Sequence, residues 1–261
     1  MGDWMKKEHK EQMKARARNI GLLIAYDGGN YHGFQRQLPP VVAVQNILEE
    51  KLAMIFGDSI ELAAAGRTDA GVHAYGQVVN FFTDGRIPVE RIVQASNSLL
   101  PDDIVVREAW EASYDFSARH SAHSKVYIYR IWQDALPDPF QRQYSWHIRQ
   151  VLDMGRLQES MQCLIGTHDF SSFRAAGGAP MSPVRTMYDA NCSQQGHVLE
   201  FRFFANGFLY HMVRNLVGTL VQAGLGRISP AGFEKIMQAH DRQSAAATAP
   251  AQGLYLYKVN Y

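Results

Sequence analysis

Hydrophobic positions along the chain recur with two spacings, every second residue and every third or fourth, and these spacings alternate. Residues 20–26 form a short apolar run closed by Asp27-Gly28-Gly29-Asn30, which predicts a strand and a turn. Val44, Ile47, Leu48, Met54 and Ile55 then share a helical stripe, with Gly57-Asp58 as its stop. Residues 60–65 and 78–83 read as two strands around a glycine-rich loop. Pro88 opens a second helix running to Leu100, and residues 104–110 close this half as a strand. The predicted order is β-α-β-β-α-β.

The second half predicts the same order without obvious sequence identity to the first. Residues 125–133 alternate, with Tyr127, Tyr129 and Ile131 on one face and Val126, Ile128 and Trp132 on the other. Asp153 is placed to cap a helix carrying Leu157, Met161, Leu164 and Ile165, which Gly166 stops. Residues 185–193 and 197–205 pair as a hairpin around Gln194-Gln195-Gly196. A helix with Val213, Leu216, Val217 and Leu220 follows, then one begun by Ser229-Pro230, and residues 254–261 are a last strand. Two such runs predict an α+β chain of two ferredoxin-like halves, with helices backing the sheets and the other faces open to a ligand. The expected divisions are a charged arm over residues 1–18, a first domain over 19–117 and a second over 118–261, with the boundary near Ser117 to Ser121.

Composition narrows the function classes. At 261 residues and 46% apolar the chain supports a real core, and no apolar run approaches the ~18 residues of a membrane span. The first 18 residues lack the apolar centre of a secretory signal. Cys163 and Cys192 form no CxxC, which leaves neither a disulfide scaffold nor a cysteine zinc site. The expectation is a reduced, cytoplasmic protein. A net charge of +1 argues against nucleic acid only until its distribution is read. Residues 1–18 hold six basic and three acidic side chains, and beyond them 16 of the 20 basic residues are arginine. Arginine's planar fork suits phosphate, carboxylate and base stacking.

The densest chemistry lies at residues 63–74, Ala63-Ala64-Ala65-Gly66-Arg67-Thr68-Asp69-Ala70-Gly71-Val72-His73-Ala74. Small residues flank Asp69, so another backbone or a planar ligand can come close. Asp69-Ala70-Gly71 is equally what an ordinary turn requires. Arg67 sits two positions before the aspartate, and a neighbouring positive charge favours the carboxylate form that a nucleophile needs. An aspartic protease or a glycosidase needs a second, paired carboxylate, and the Thr68-to-Gly71 sequence has no second copy. His73, His120 and His123 follow no ligand motif, and neither a Walker A nor a GxGxxG sequence occurs.

Two further segments carry polar and aromatic residues together. Residues 26–37 pack glycines, aromatics, amides and Arg36 into one loop, a surface suited to phosphates and base edges or simply a long turn. Tyr127 and Tyr129 share a sheet face, where they are core or stack on an extruded base. In residues 206–215, Arg214 and Asn215 interrupt an apolar helix. An arginine there either pairs with a nearby carboxylate or reaches solvent at the helix edge.

Taken together these segments resemble the tRNA pseudouridine synthase A (TruA) family. The resemblance rests on YDGGNYHGFQRQ at 26–37, AGRTDAGVHA at 65–74, FSARHSAHSKVYIYRI at 116–131, GTHDFSSF at 166–173, NGFLYHMVRNLVGTL at 206–220 and AAATAPAQGLYL at 245–256. They occur in family order from residue 20 to the end. Phe34 stands where the family usually has tryptophan, and residues 1–18 are an extension.

The resemblance implies an isomerase converting uridine to pseudouridine at tRNA positions 38, 39 and 40 of the anticodon arm. It implies no metal and no organic cofactor, and a homodimer whose two-lobed, mainly antiparallel sheet has helices on one side and an RNA-binding cleft on the other. By matching position, Asp69 is the catalytic aspartate, Arg214 its paired arginine, and Arg67 the basic residue that aids flipping of the nucleotide. Tyr127 is the base-stacking tyrosine and a candidate for the late proton abstraction, while Arg36, Gln37 and His73 fall on the substrate side. Arg119 and Arg174 also lie in matched segments. A different class, a non-catalytic RNA-binding or tRNA-folding module on the same scaffold, has no need of an aspartate facing phosphates. A synthase acting on other RNA would modify sites outside the anticodon arm.

Overall fold

The computed structural model describes residues 15–178 and 181–261, and the expected arm lies outside the described residues as far as position 14. The chain divides into two compact units between Ala122 and His123, with the last residue, Tyr261, belonging to the first unit. The Tyr261 hydroxyl donates to the Ala118 carbonyl at 2.8 Å and its ring lies 5.0 Å from that of Phe116.

The first unit runs β1 (Arg18–Tyr26), α1 (Val44–Phe56), β2 (Ala63–Ala64), β3 (His73–Thr83), α2 (Val89–Asn97) and β4 (Ile104–Ala112). Its strands lie in the order β4-β1-β3-β2, and every neighbouring pair is antiparallel. Alternation in β1 sends Ile20, Leu22 and Ile24 into the core, with Val79, Phe81, Leu48, Leu52 and Ile92 also buried. The indole of Trp110 covers Gly21, where a Cβ would stand 2.3 Å from the ring. The strand begins at Arg18, two residues earlier than the apolar run suggests, because charged residues here are paired. Arg16 forms an ion pair with Asp58 at 2.8 Å, and the Nε of Arg18 donates to Glu111 at 3.0 Å. The described end of the expected arm is therefore docked.

Boundaries shift elsewhere for local reasons. β2 keeps only two residues, whereas β3 starts at His73 and takes in the end of the glycine-rich segment. α2 stops at Asn97 rather than Leu100. The Asn97 amide both donates to and accepts from the backbone of Val106 at 2.8 Å, imitating a strand partner and breaking the helix. α1 ends where expected, with Gly57 left-handed at φ 67° and its N–H donating to Ala53.

The second unit runs β5 (Ser124–Gln133), β6 (Trp146–Ile148), α3 (Met154–Gln162), β7 (Gly166–Asp169), β8 (Val184–Gln195), β9 (Val198–Ala205), α4 (Met212–Gly224), α5 (Pro230–Gln238) and β10 (Leu254–Asn260). The strand order is β10-β5-β9-β8-β7, all antiparallel, and β6 pairs with β5 in parallel. β6 and β7 were not expected from the alternation, being three and four residues long. Asp153 caps α3 by accepting from the Arg156 N–H, but the helix ends at Gln162, short of the Gly166 stop. Leu164 is nevertheless fully buried. Tyr129, Ile131, Leu199, Phe201 and Phe203 pack into a core with Leu157, Leu216, Leu220 and Phe233. Among the described residues no helix is long and apolar enough to cross a membrane.

Candidate active site

In the first unit the segment that carries Asp69 joins β2 to β3. The Asp69 carbonyl accepts from the Val72 N–H at 3.1 Å, and Gly71 between them is left-handed at φ 76°. The turn expected at Asp69-Ala70-Gly71 is thus present, and Asp69 in it is half-buried. Arg67, two residues earlier, is exposed.

This turn is braced from beneath by buried polar groups. Tyr26 at the end of β1 and Thr68 share a hydrogen bond of 2.7 Å between hydroxyls. Burial pushes the Tyr26 phenol well above its ordinary range, against the lowering effect of Thr68 and Gln77. Gln77, itself fully buried, donates to the Gly66 carbonyl at 2.7 Å. Sequence reading singled out none of Thr68, Gln77 or the Tyr26 hydroxyl as a brace. The signal for Tyr26 and Gln77 is a polar group inside a strand that would otherwise be apolar, whereas Thr68, in the loop between β2 and β3, carries none.

The loop of residues 27–37 lies against the same turn. The Phe34 N–H donates to the Thr68 carbonyl at 3.0 Å, and the Gly71 N–H to the Tyr31 carbonyl at 3.3 Å. A Cβ on Gly28 would stand 2.0 Å from the Val72 carbonyl oxygen, and one on Gly33 would stand 2.8 Å from that of Thr68. These two glycines are what allow the backbones to touch. The Tyr31 hydroxyl donates to Asp103 at 2.6 Å, and burial with this carboxylate pushes its phenol upward. Phe34 is buried 6.0 Å from the Tyr26 ring, so its aromatic plane serves the loop's interior.

Of the residues expected on the substrate side, His73 is buried at the start of β3, whereas Arg36 and Gln37 are exposed but tied to α1. His73 is 2% exposed, with Nδ1 2.9 Å from the Asp27 carboxylate and 3.1 Å from the Gly28 nitrogen. Arg36 donates to Glu49 at 3.0 Å, and the Gln37 backbone exchanges hydrogen bonds with the Asn46 amide of α1. Arg119 is exposed.

In the second unit, Tyr127 on β5 is 8% exposed, its ring edge-on to Phe208 at 4.9 Å. Arg214 lies in the first turn of α4. Its Nε donates to the Ala249 carbonyl at 2.8 Å and its Nη1 lies 3.4 Å from His211 Nε2. His211, the residue before the helix, is left-handed at φ 59° and lies 4.0 Å from the Tyr210 ring. Tyr129 is fully buried and donates to the Pro250 carbonyl, and burial raises its phenol while the charge of Arg214 acts the other way. Arg174 donates to the Met181 carbonyl at 3.2 Å. Among the described residues no group of three His, Cys, Asp or Glu side chains is arranged to hold a metal ion.

A family model described as tRNA pseudouridine synthase matches residues 22–121 and 161–261. The chain is 47% identical over 244 residues to the tRNA pseudouridine synthase A of Geobacillus kaustophilus, covering 93% of this chain and 94% of that protein. It is 41% identical over 244 residues to the protein of the same name from Acetivibrio thermocellus, covering 94% and 100%. The Bacillus subtilis protein of that name is 44% identical over 240 residues, covering 91% and 97%. The chain belongs to the tRNA pseudouridine synthase family, and with it to the isomerases.

Proposed function

We propose that this protein isomerises uridine to pseudouridine at positions 38, 39 and 40 of the tRNA anticodon arm, with Asp69 as the nucleophile. The observation that carries the reading is the Asp69 turn, with Asp69 half-buried and the turn fixed beneath by the Tyr26, Thr68 and Gln77 hydrogen bonds. A turn that only reverses the chain does not need three buried polar braces, because burying them without function is costly.

The reaction breaks the N1–C1′ bond, turns the freed uracil and joins C5 to C1′, with the C5 proton lost and N1 gaining one. The Asp69 carboxylate either attacks C1′ as N1 leaves and is itself released when C5 joins C1′, or adds to C6 and is eliminated after the new bond forms, and both routes use the same aspartate. Arg214 is proposed as its charge partner and Arg67 as the residue that takes the flipped nucleotide's place or phosphate. Tyr127 stacks on the base while it turns, and its phenol is the candidate acceptor of the C5 proton. Arg36 and Gln37 are proposed on the substrate side. His73, being buried, acts by shaping the loop against Asp27 and Gly28. Flipping a uridine costs a few kcal/mol and least in a loop or stem end, which suits an anticodon arm.

We place the enzyme in the cytoplasm as a homodimer. The ferredoxin-like reading of each half is supported by the order β4-β1-β3-β2 in one unit and β10-β5-β9-β8 in the other, an RNA cleft being proposed on the face away from the helices. The test is Asp69→Asn on a tRNA transcript, read by pseudouridine-specific chemical mapping. We expect modification at 38, 39 and 40 by the wild type and none by the variant. Modification by the variant overturns the nucleophile. Binding of tRNA by the wild type without pseudouridine would favour the RNA-binding module.

A further inference from the structure

Within the second unit one loop holds both the backbone and the side chain of Arg214. Its Nε donates to the Ala249 carbonyl at 2.8 Å, and the Ala249 N–H donates to the Arg214 carbonyl at 3.1 Å. An arginine side chain turns about several bonds, so fixing Nε removes most of that freedom and aims the guanidinium. The carbonyl that fixes it is only as still as residues 245–250, which have neither helix nor strand of their own.

Those residues are held by side chains instead. Asn215, next to Arg214 and fully buried, donates to the Phe173 carbonyl at 2.8 Å. Its Oδ1 accepts from the Thr248 hydroxyl at 2.6 Å and from Arg242 Nη2 at 3.1 Å. Arg242 also donates to the Thr248 hydroxyl and to the Ala245 carbonyl, each at 3.2 Å. The Thr219 hydroxyl accepts from the Ala246 N–H at 3.2 Å. Gly218 lets the loop lie on α4, since a Cβ there would stand 2.0 Å from the Ala247 oxygen. A loop that merely crossed the helix surface would need none of this network.

We propose that Thr248, Asn215 and Arg242 are positioning residues for pseudouridine formation, holding the Ala249 carbonyl against the Nε of Arg214. The inference rests on the reading of Arg214 as the reaction's arginine. Thr248 is the pivot, because its hydroxyl joins the other two side chains. None of the three has to touch RNA to act.

The test uses the full chain on a tRNA transcript, with kcat and KM measured for each variant. Thr248→Val keeps the side chain's shape and removes its hydroxyl. We expect kcat to fall by about tenfold to a hundredfold, as misplacement of a reacting group does, with KM for tRNA within about twofold. Thr248→Ser restores kcat. In an Arg214→Lys background the same Thr248→Val change lowers kcat by less than about twofold, because the group it positions is already gone. An unchanged kcat in Thr248→Val, or an equal fall in both backgrounds, overturns the proposal while leaving Arg214 in place. Where Thr248→Val lacks a cooperative thermal transition, Arg242→Gln is read in the same way, since it removes a donor to both Thr248 and Asn215. Undiminished kcat in Arg214→Lys alone overturns both the role of Arg214 and the positioning drawn from it.

Discussion

The hydroxyls of Tyr26 and Thr68 meet at 2.7 Å in the interior of the first unit, 42 residues apart in sequence. The bond ties the end of β1 to the residue before Asp69, so the strand's position becomes the turn's position. Tyr26→Phe leaves the Thr68 hydroxyl buried without this partner, a loss of about 1–3 kcal/mol. Thr68→Val added to Tyr26→Phe removes the stranded group and is expected to lower stability little further. A double-mutant cycle in urea measures the coupling, and full additivity would show that the bond carries none of it.

Gly33 and Gly57 separate backbone strain from close approach. Both are left-handed, at φ 88° and 67°, but a Cβ on Gly57 meets nothing within 4 Å whereas one on Gly33 meets the Thr68 oxygen at 2.8 Å. Gly57→Ala is expected to cost about 1 kcal/mol and to leave pseudouridine formation intact. Gly33→Ala adds about 1–3 kcal/mol of overpacking and pushes on the Asp69 turn. It should therefore lose activity under conditions where thermal denaturation shows it still folded.

What could be read along the chain followed from local period and composition. The residues of β5 were legible because they are a run of β-branched and aromatic residues, buried without a break from Val126 to Tyr129. β6 and β7 are too short to show a period, and α2 ends early because Asn97 bonds to a strand that sequence places further on. The Asp69 turn stood out through its run of small residues beside an arginine. Its braces did not, since Gln77 reads as a polar position in a strand until its amide is seen on the Gly66 carbonyl. The Asn215–Thr248 bond, 33 residues across, is hidden for the same reason.

The two cysteines give a prediction in pH. Burial pushes both the Cys163 and Cys192 thiols up to about 11. Near pH 8 the folded protein should be alkylated slowly by iodoacetamide at both, and rapidly once unfolded by urea. A raised folded-state value means that the native form keeps its proton while the unfolded form loses it. Stability from these thiols is therefore fully present below the unfolded value near 9 and declines as pH rises towards about 11. Cys192→Ala should flatten that decline in urea titrations between pH 9 and 11.

Arg36 offers the sharpest separation of a stabilising role from an RNA-facing one. Its side chain is 49% exposed, but its guanidinium donates to Glu49, which is only 9% exposed. The other oxygen of that carboxylate accepts from the Leu62 N–H at 2.9 Å and from Gln45 at 2.8 Å. Arg36→Ala thus strips one charged donor from a largely buried carboxylate, and about 1 kcal/mol of stability should go once solvent screening of the arginine is allowed for. Adding Glu49→Gln to Arg36→Ala removes the stranded charge and should recover part of that loss. Affinity for tRNA supplies the other half of the experiment. A phosphate contact by Arg36 would appear in the single variant as weaker binding and a salt slope reduced by about one, and Glu49→Gln would restore neither. If instead binding returns with stability in the double variant, Arg36 serves the loop and not the RNA.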